Sequence, residues 1–374
     1  MGVLHELERL GQSIWFDNIS RSMLAGGGLR GMVEEGLLGV TSNPTIFDKA
    51  ISGSSDYDDQ LRRLVTERPA IRVEEIIQEL MAEDIRRAAD DLRPVFDRTG
   101  GRDGYVSVEV SPAKARDTSA TVEEARGLWA MIERPNLMVK IPATSEGLPA
   151  IEQAIGEGIN INVTLIFSLA RYREVAEAYI RGLERRAKAG LPLASLASVA
   201  SVFVSRIDTL VDTLLDQRAA SDPSMASRVA PLKGQAAVAN TKLIYQAFKE
   251  IFSTPRFETL RVLGARQQRP LWGSTSTKNP SYDPLLYVAR LVGPSTVNTV
   301  PPNTYIEILK NMKPALTVET DLAGAGRLVA SLEESGISMD AVMRQLEDEG
   351  VSAFERSFDG LIHNLQQKRQ AFLR

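Results

Sequence analysis

The sequence predicts an α/β fold, a (β/α)8 TIM barrel with additional N- and C-terminal helices. Two observations carry this expectation. Short β-type runs recur along the 374 residues, separated by longer segments with helical periodicity, and eight such runs are present. Within four of the runs polar and apolar side chains alternate, so one face of each of those strands is apolar and the other is reserved for something else.

The runs are "SIWFD" (13–17), "LLGVTSN" (37–43), "YVSVEVS" (105–111), "LMVKIPA" (137–143), "INVTLIF" (161–167), "SVASVFV" (198–204), "RPLWGST" (269–275) and "STVNTV" (295–300). Between them "VEEIIQELMAEDIRRAADDLRPVF" (73–96) and "DPLLYVARLVG" (283–293) have apolar residues at helical spacing. Residues 218–234, "RAASDPSMASRVAPLKG", read as a loop interruption and not as a domain linker. Beyond Val300 the pattern is helical to the end. The expected organisation is one barrel domain over residues 1–374, with 304–374 a helical extension packed on it.

Splitting the strands by parity puts Ile14 and Phe16 on one face and Trp15 and Asp17 on the other. Val106, Val108 and Val110 oppose Tyr105, Ser107 and Glu109; Leu137, Val139 and Ile141 oppose Met138 and Lys140; Ile161, Val163 and Leu165 oppose Asn162 and Thr164. In an antiparallel sheet the polar face would meet water. Helices intervene here, so the outer strand face is covered and the polar set points into the barrel. Charged groups late in their strands then sit at the C-terminal mouth, where barrel active sites are found.

Composition narrows the chemistry. The chain has no cysteine, which removes disulfides, thiolate metal sites and thiol nucleophiles and fits a reducing compartment. Its two histidines, His5 and His363, lie in terminal segments as surface residues of amphipathic helices, which argues against a Ser-His-Asp triad or a histidine-built zinc site. A net charge of −4 and scattered aromatic residues argue against a general nucleic-acid binder. No long apolar run or signal-like leader is visible, so a soluble cytoplasmic protein is expected. The run "GGGLRG" (26–31), with Asp48 beyond it, satisfies a dinucleotide-binding spacing. It follows the helical-looking "NISRSMLA" and not a strand, so a flexible turn is the better account.

Lys140 stands out because an amine held away from bulk water loses its preference for the ammonium form and can attack a carbonyl. An isolated buried lysine is more often an ion-paired barrel filler. Two carboxylates, Asp17 and Glu109, and the polar pair Asn162 and Thr164 on the same inner surface shift the balance toward a site. The acids are expected close enough to relay protons without a permanent ion pair to Lys140.

Five blocks, "GVTSNPTIF" (39–47), "VSVEVSP" (106–112), "LMVKIPAT" (137–144), "GININVTLIFS" (158–168) and "SVFVSRID" (201–208), resemble in order the signature blocks of transaldolase, over roughly residues 12–310. The resemblance implies a Schiff-base enzyme of the non-oxidative pentose phosphate pathway. Such an enzyme moves a dihydroxyacetone unit from sedoheptulose 7-phosphate or fructose 6-phosphate to glyceraldehyde 3-phosphate or erythrose 4-phosphate. It implies Lys140 as the Schiff-base lysine, Asp17 as acid/base, and Glu109 with Thr164 as the pair positioning a catalytic water. Asn43 and Asn162 match asparagines that hold donor hydroxyls. Ser201 and Arg206 match substrate and phosphate contacts, with Phe203 between them.

Where many relatives have a second phosphate arginine, this chain reads "STSTKNP", and the role is assigned to Lys278, which lacks arginine's bidentate fork. The implied chemistry needs no metal or organic cofactor. The implied partners are sugar phosphates, with neither nucleic acid nor membrane, and the chain is expected to be a monomer or homodimer. The nearest rival is a fructose 6-phosphate aldolase of the same superfamily. Those relatives tend to carry glutamine in place of Glu109 and tyrosine in place of Phe203, so both residues favour transfer. A non-catalytic sugar-phosphate-binding barrel is the other alternative, and it has no need of an amine between two acids.

Overall fold

Every run predicted as a strand is one, in the predicted order. In the computed structural model, which describes residues 2–372, these are β1 (Gln12–Phe16), β2 (Gly39–Val40), β3 (Tyr105–Glu109), β4 (Leu137–Pro142), β5 (Ile161–Ile166), β6 (Ser198–Phe203), β7 (Arg269–Gly273) and β8 (Thr296–Val300). They pair in parallel, each with the next and β8 with β1, closing the barrel.

The parity reading is visible in the packing. Ile14, Phe16, Val106, Val108, Leu137, Val139, Ile161 and Val163 belong to the large core between strands and helices. Trp15, Tyr105, Met138, Val199, Leu271 and Val297 form a separate small core, the barrel's own filling. Below it Arg269 plugs the N-terminal end. Its guanidinium donates to Asp103 at 2.8 Å, to Ser13 at 2.9 Å and to the Arg102 carbonyl at 2.9 Å, and Trp15 donates to Asp103 at 3.1 Å. A buried pair with this many partners offsets much of its desolvation.

The strand bounds differ from the expected ones by one or more residues throughout, and two strands carry local irregularities with physical reasons. β2 shrinks to two residues because Asn43 ends it as a helix cap: its Oδ1 accepts from the Ile46 amide at 3.0 Å, and Pro44 opens helix Pro44–Ser52. In β5 the register shifts between Val163 and Ile166, and Leu165 has φ 58°, a left-handed conformation unusual for a branched residue. Leu165 therefore leaves the regular alternation that grouped it with Ile161 and Val163.

The helix predicted over 73–96 runs Val73–Arg98 with Pro94 inside it. The return into β3 needs Gly104 (φ 84°), where a Cβ would stand 2.3 Å from the Phe96 nitrogen. Of 283–293 only Leu286–Arg290 is helical. Residues 218–234 are not a plain loop: helix Ser205–Ser221 continues through the first four, and short turns Pro223–Met225, Ala226–Val229 and Ala230–Leu232 follow. The glycine run splits, with Gly26 and Gly27 making the turn and Gly28 starting helix Gly28–Glu35. Past β8 lie helices Pro302–Asn311, Leu322–Glu334 and Met339–Phe372, interrupted over 312–321. The longest packs against helix Pro44–Ser52 and crosses toward the barrel mouth. No helix among the described residues is long and apolar enough to cross a membrane.

Candidate active site

Register brings the polar inner residues side by side. Glu109 stands opposite Lys140 on β3 and β4, and Lys140 opposite Asn162 on β5. Lys140 Nζ donates to Glu109 Oε2 at 3.0 Å and to the Ser42 carbonyl at 3.3 Å, with both charged side chains buried. The expectation that the lysine holds no ion pair is thus not met, because neighbouring strands place the two groups in direct contact. Asp17, just past β1, is held instead by Thr41, whose Oγ1 donates to it at 2.7 Å. With that proton committed, Thr299 donates to Thr41 at 2.6 Å.

Above these groups opens a cavity of about 610 Å³. Eight of the ten residues singled out from sequence line it: Lys140, Asp17, Thr164, Asn43, Ser201, Phe203, Arg206 and Lys278. Glu109 and Asn162 lie one layer behind. Glu109 touches the cavity only through Lys140, and Asn162 is bonded to Ser201 at 2.7 Å and to Ser107 at 3.0 Å. His5 and His363 do not line it.

Burial pushes the Glu109 carboxyl up, against the opposing charge and hydrogen bond of Lys140. Burial also raises Asp17, opposed by the charge of Lys140 and then by the bond from Thr41. Both acids are therefore poised to accept a proton. Glu109 Oε1 and Thr164 Oγ1 are buried without any hydrogen-bond partner. Two such atoms at one site are costly unless something polar bridges them.

The far end of the cavity is cationic. Arg206 lies in the first turn of helix Ser205–Ser221, half-buried, with its guanidinium 5.4 Å from the Phe203 ring centre. Burial holds it below the usual arginine range. Lys278, exposed on one flank, donates to Ser276 at 2.8 Å and is lowered by desolvation and then by the charge of Arg206. Among the described residues neither cation has a carboxylate partner within salt-bridge distance. Two close cations left unneutralised at a helix N-terminus suit an anion such as a phosphate.

The model of the Transaldolase/Fructose-6-phosphate aldolase family matches residues 14–365. A transaldolase of Acidothermus cellulolyticus is 48% identical over 96% of this chain and 94% of its own. Transaldolases of Thermobifida fusca and Trichodesmium erythraeum are 46% and 44% identical, each over 98% of this chain and at least 97% of theirs. The chain belongs to the transaldolase/fructose-6-phosphate aldolase family.

The two residues on which the sequence reading favoured transfer over simple cleavage both have clear surroundings in the structure. Glu109, not a glutamine, contacts the lysine, and Phe203 packs edge-on against Phe167 with ring centres 5.5 Å apart, presenting no hydroxyl. The cavity also contains residues that the sequence reading did not single out. Thr41 bonds Asp17 and Thr299 bonds Thr41; the alternation in "GVTSNP" and in "STVNTV" could have signalled them. Phe354, from helix Met339–Phe372, lines the cavity with no motif to announce it.

Proposed function

We propose that this chain is a transaldolase acting through a Schiff base on Lys140. The observation that carries this reading is the 3.0 Å contact between Lys140 and a buried carboxyl raised toward protonation, at the base of a cavity whose other end is cationic. Glu109, its carboxyl raised by burial, is placed to take the proton that the Lys140 amine must lose before it attacks.

The amine adds to the C2 carbonyl of the donor ketose and loses water to give an iminium. Asp17 then takes the C4 hydroxyl proton as the C3 to C4 bond breaks, and the electron pair is stored as an enamine. The aldose phosphate leaves, an acceptor aldehyde enters, C3 attacks it, and Asp17 returns the proton to the new hydroxyl. Hydrolysis by a water held between Glu109 Oε1 and Thr164 Oγ1 frees the lysine, and that water accounts for both unpartnered atoms. Asn43, Asn162 and Ser201 hold the donor hydroxyls, Asn162 acting through Ser201 or its free N–H. Arg206 and Lys278 take the phosphate. Proton transfers of this kind typically contribute ~10² to 10⁴ in rate.

We propose further that the enzyme is cytoplasmic, works as a monomer or homodimer, and serves the non-oxidative pentose phosphate pathway. The deciding experiment is borohydride reduction in the presence of fructose 6-phosphate. The expected result is a three-carbon adduct on Lys140, absent in Lys140→Ala; labelling elsewhere overturns the reading. Release of glyceraldehyde 3-phosphate that depends on erythrose 4-phosphate separates transfer from aldol cleavage.

A further inference from the structure

Helix Met339–Phe372 carries an apolar stripe, Leu346, Gly350, Phe354, Leu361 and Leu365, whose members recur at near-helical spacing. Gly350 is where this helix comes down onto the strand bearing Thr164: a Cβ there would stand 3.0 Å from Leu165 Cδ2. The bulge that turns Leu165 into the left-handed region aims its side chain at that glycine. One turn further along, Phe354 enters the mouth of the barrel. Its ring centre lies 5.4 Å from Lys140 Nζ, it is 5% exposed, and it lines the cavity.

The helix is fixed on both sides of this point. Glu347 pairs with Arg171 at 3.3 Å. Ser357 shares a hydrogen bond of 2.8 Å with Thr45, which lies in the segment capped by Asn43. Lys368 reaches Asp58 at 3.0 Å and the carbonyls of Ile51 and Ser54.

We propose that Phe354 is the apolar roof over the reacting amine, and that it decides whether the three-carbon enamine is transferred or lost. The proposal rests on the Schiff-base reading of Lys140. An enamine waiting for an acceptor has one competing fate: C3 takes a proton from water, the resulting iminium adds water, and dihydroxyacetone departs as the amine re-forms. The net result is cleavage of fructose 6-phosphate to dihydroxyacetone and glyceraldehyde 3-phosphate. An apolar ring over the nitrogen keeps water from that side of the enamine. Phe354 is a positioning residue, and a segment far outside the barrel motifs thereby sets the reaction outcome.

The test measures, for wild type, Phe354→Ala, Phe354→Leu and Phe354→Tyr, the ratio of dihydroxyacetone released without acceptor to three-carbon unit transferred to erythrose 4-phosphate. Thermal unfolding of each is recorded alongside. Phe354→Ala opens the roof to water and raises the ratio severalfold. Phe354→Leu, which keeps apolar bulk, stays close to wild type. Phe354→Tyr retains the packing, places a hydroxyl over the enamine and also raises the ratio, so the test survives if the alanine variant fails to fold.

Unchanged ratios in both Phe354→Ala and Phe354→Tyr, with borohydride trapping at Lys140 intact, overturn the roof alone. An absence of trapping in the wild type overturns the Schiff-base reading, and the roof with it.

Discussion

Glu109 grips Lys140 through one carboxylate oxygen, Oε2 at 3.0 Å, and leaves the other, Oε1, buried and unpartnered. On the proposed mechanism one side chain thus serves two tasks, holding the proton the amine must lose and orienting the water that ends the cycle. Glutamine preserves the shape and can accept one hydrogen bond, yet it cannot take a proton. Glu109→Gln is expected to keep the fold and slow transfer by roughly 10² to 10⁴-fold. Steady-state turnover with matched circular dichroism spectra checks this, and unchanged turnover removes Glu109 from its role.

The same pair is a cost to the fold. A buried ion pair replaced by groups of similar volume is often neutral or stabilising by about 1–4 kcal/mol. Lys140→Met combined with Glu109→Gln should unfold at higher denaturant concentration than the wild type while being inactive. Lys140→Met alone leaves the carboxyl without its cation, and its stability should fall as pH rises above the ordinary carboxylate range. Urea titrations at several pH values distinguish the two variants.

Arg206 and Lys278 differ in exposure, and their substitutions should differ in consequence. Loss of hydrogen bonds to a charged group costs about 1.5–3 kcal/mol, so Arg206→Ala should lower kcat/KM for phosphorylated ketoses by roughly 10 to 100-fold, mostly through KM. Lys278→Ala should lose less, because its ammonium keeps more of its contact with water. Cleavage of unphosphorylated fructose should be insensitive to either change; equal losses on both sugars would show that the cations act on something other than the phosphate.

A separate carboxyl sets a pH dependence of stability. Asp208 accepts from the Ala237 amide at 2.7 Å and from Tyr287 at 2.9 Å, and burial pushes its pKa from 3.8 up to about 6. The folded state thus favours the protonated form. Its contribution is present in full below the unfolded value and disappears as pH rises through about 6, a change of about 3 kcal/mol. Asp208→Asn should flatten the slope of unfolding free energy between pH 4 and pH 7 relative to wild type; identical slopes would mean the carboxyl titrates normally.

The barrel and the gathering of eight chosen residues around one cavity were legible largely because the alternation of side chains in β1, β3, β4 and β5 has a period of two, which fixes faces without reference to partners. Register does not follow from parity. That Lys140 meets Glu109, while Asp17 turns to Thr41, depends on how the strands are staggered around the ring. The bulge at Leu165 was invisible because parity assumes an unbroken strand, and a leucine gives no sign of left-handed backbone. Phe354 lay beyond reach for a different reason: an apolar residue on an amphipathic helix looks the same whether it meets other helices or an amine.

The ionic pair of Arg269 and Asp103 fills the barrel end opposite the cavity that holds Lys140. On the proposed mechanism the aldehyde cut from the donor leaves by the cavity mouth through which the acceptor arrives. On that mechanism the protein alternates between an empty and a carbon-laden state, and an excess of either sugar occupies the state its counterpart needs.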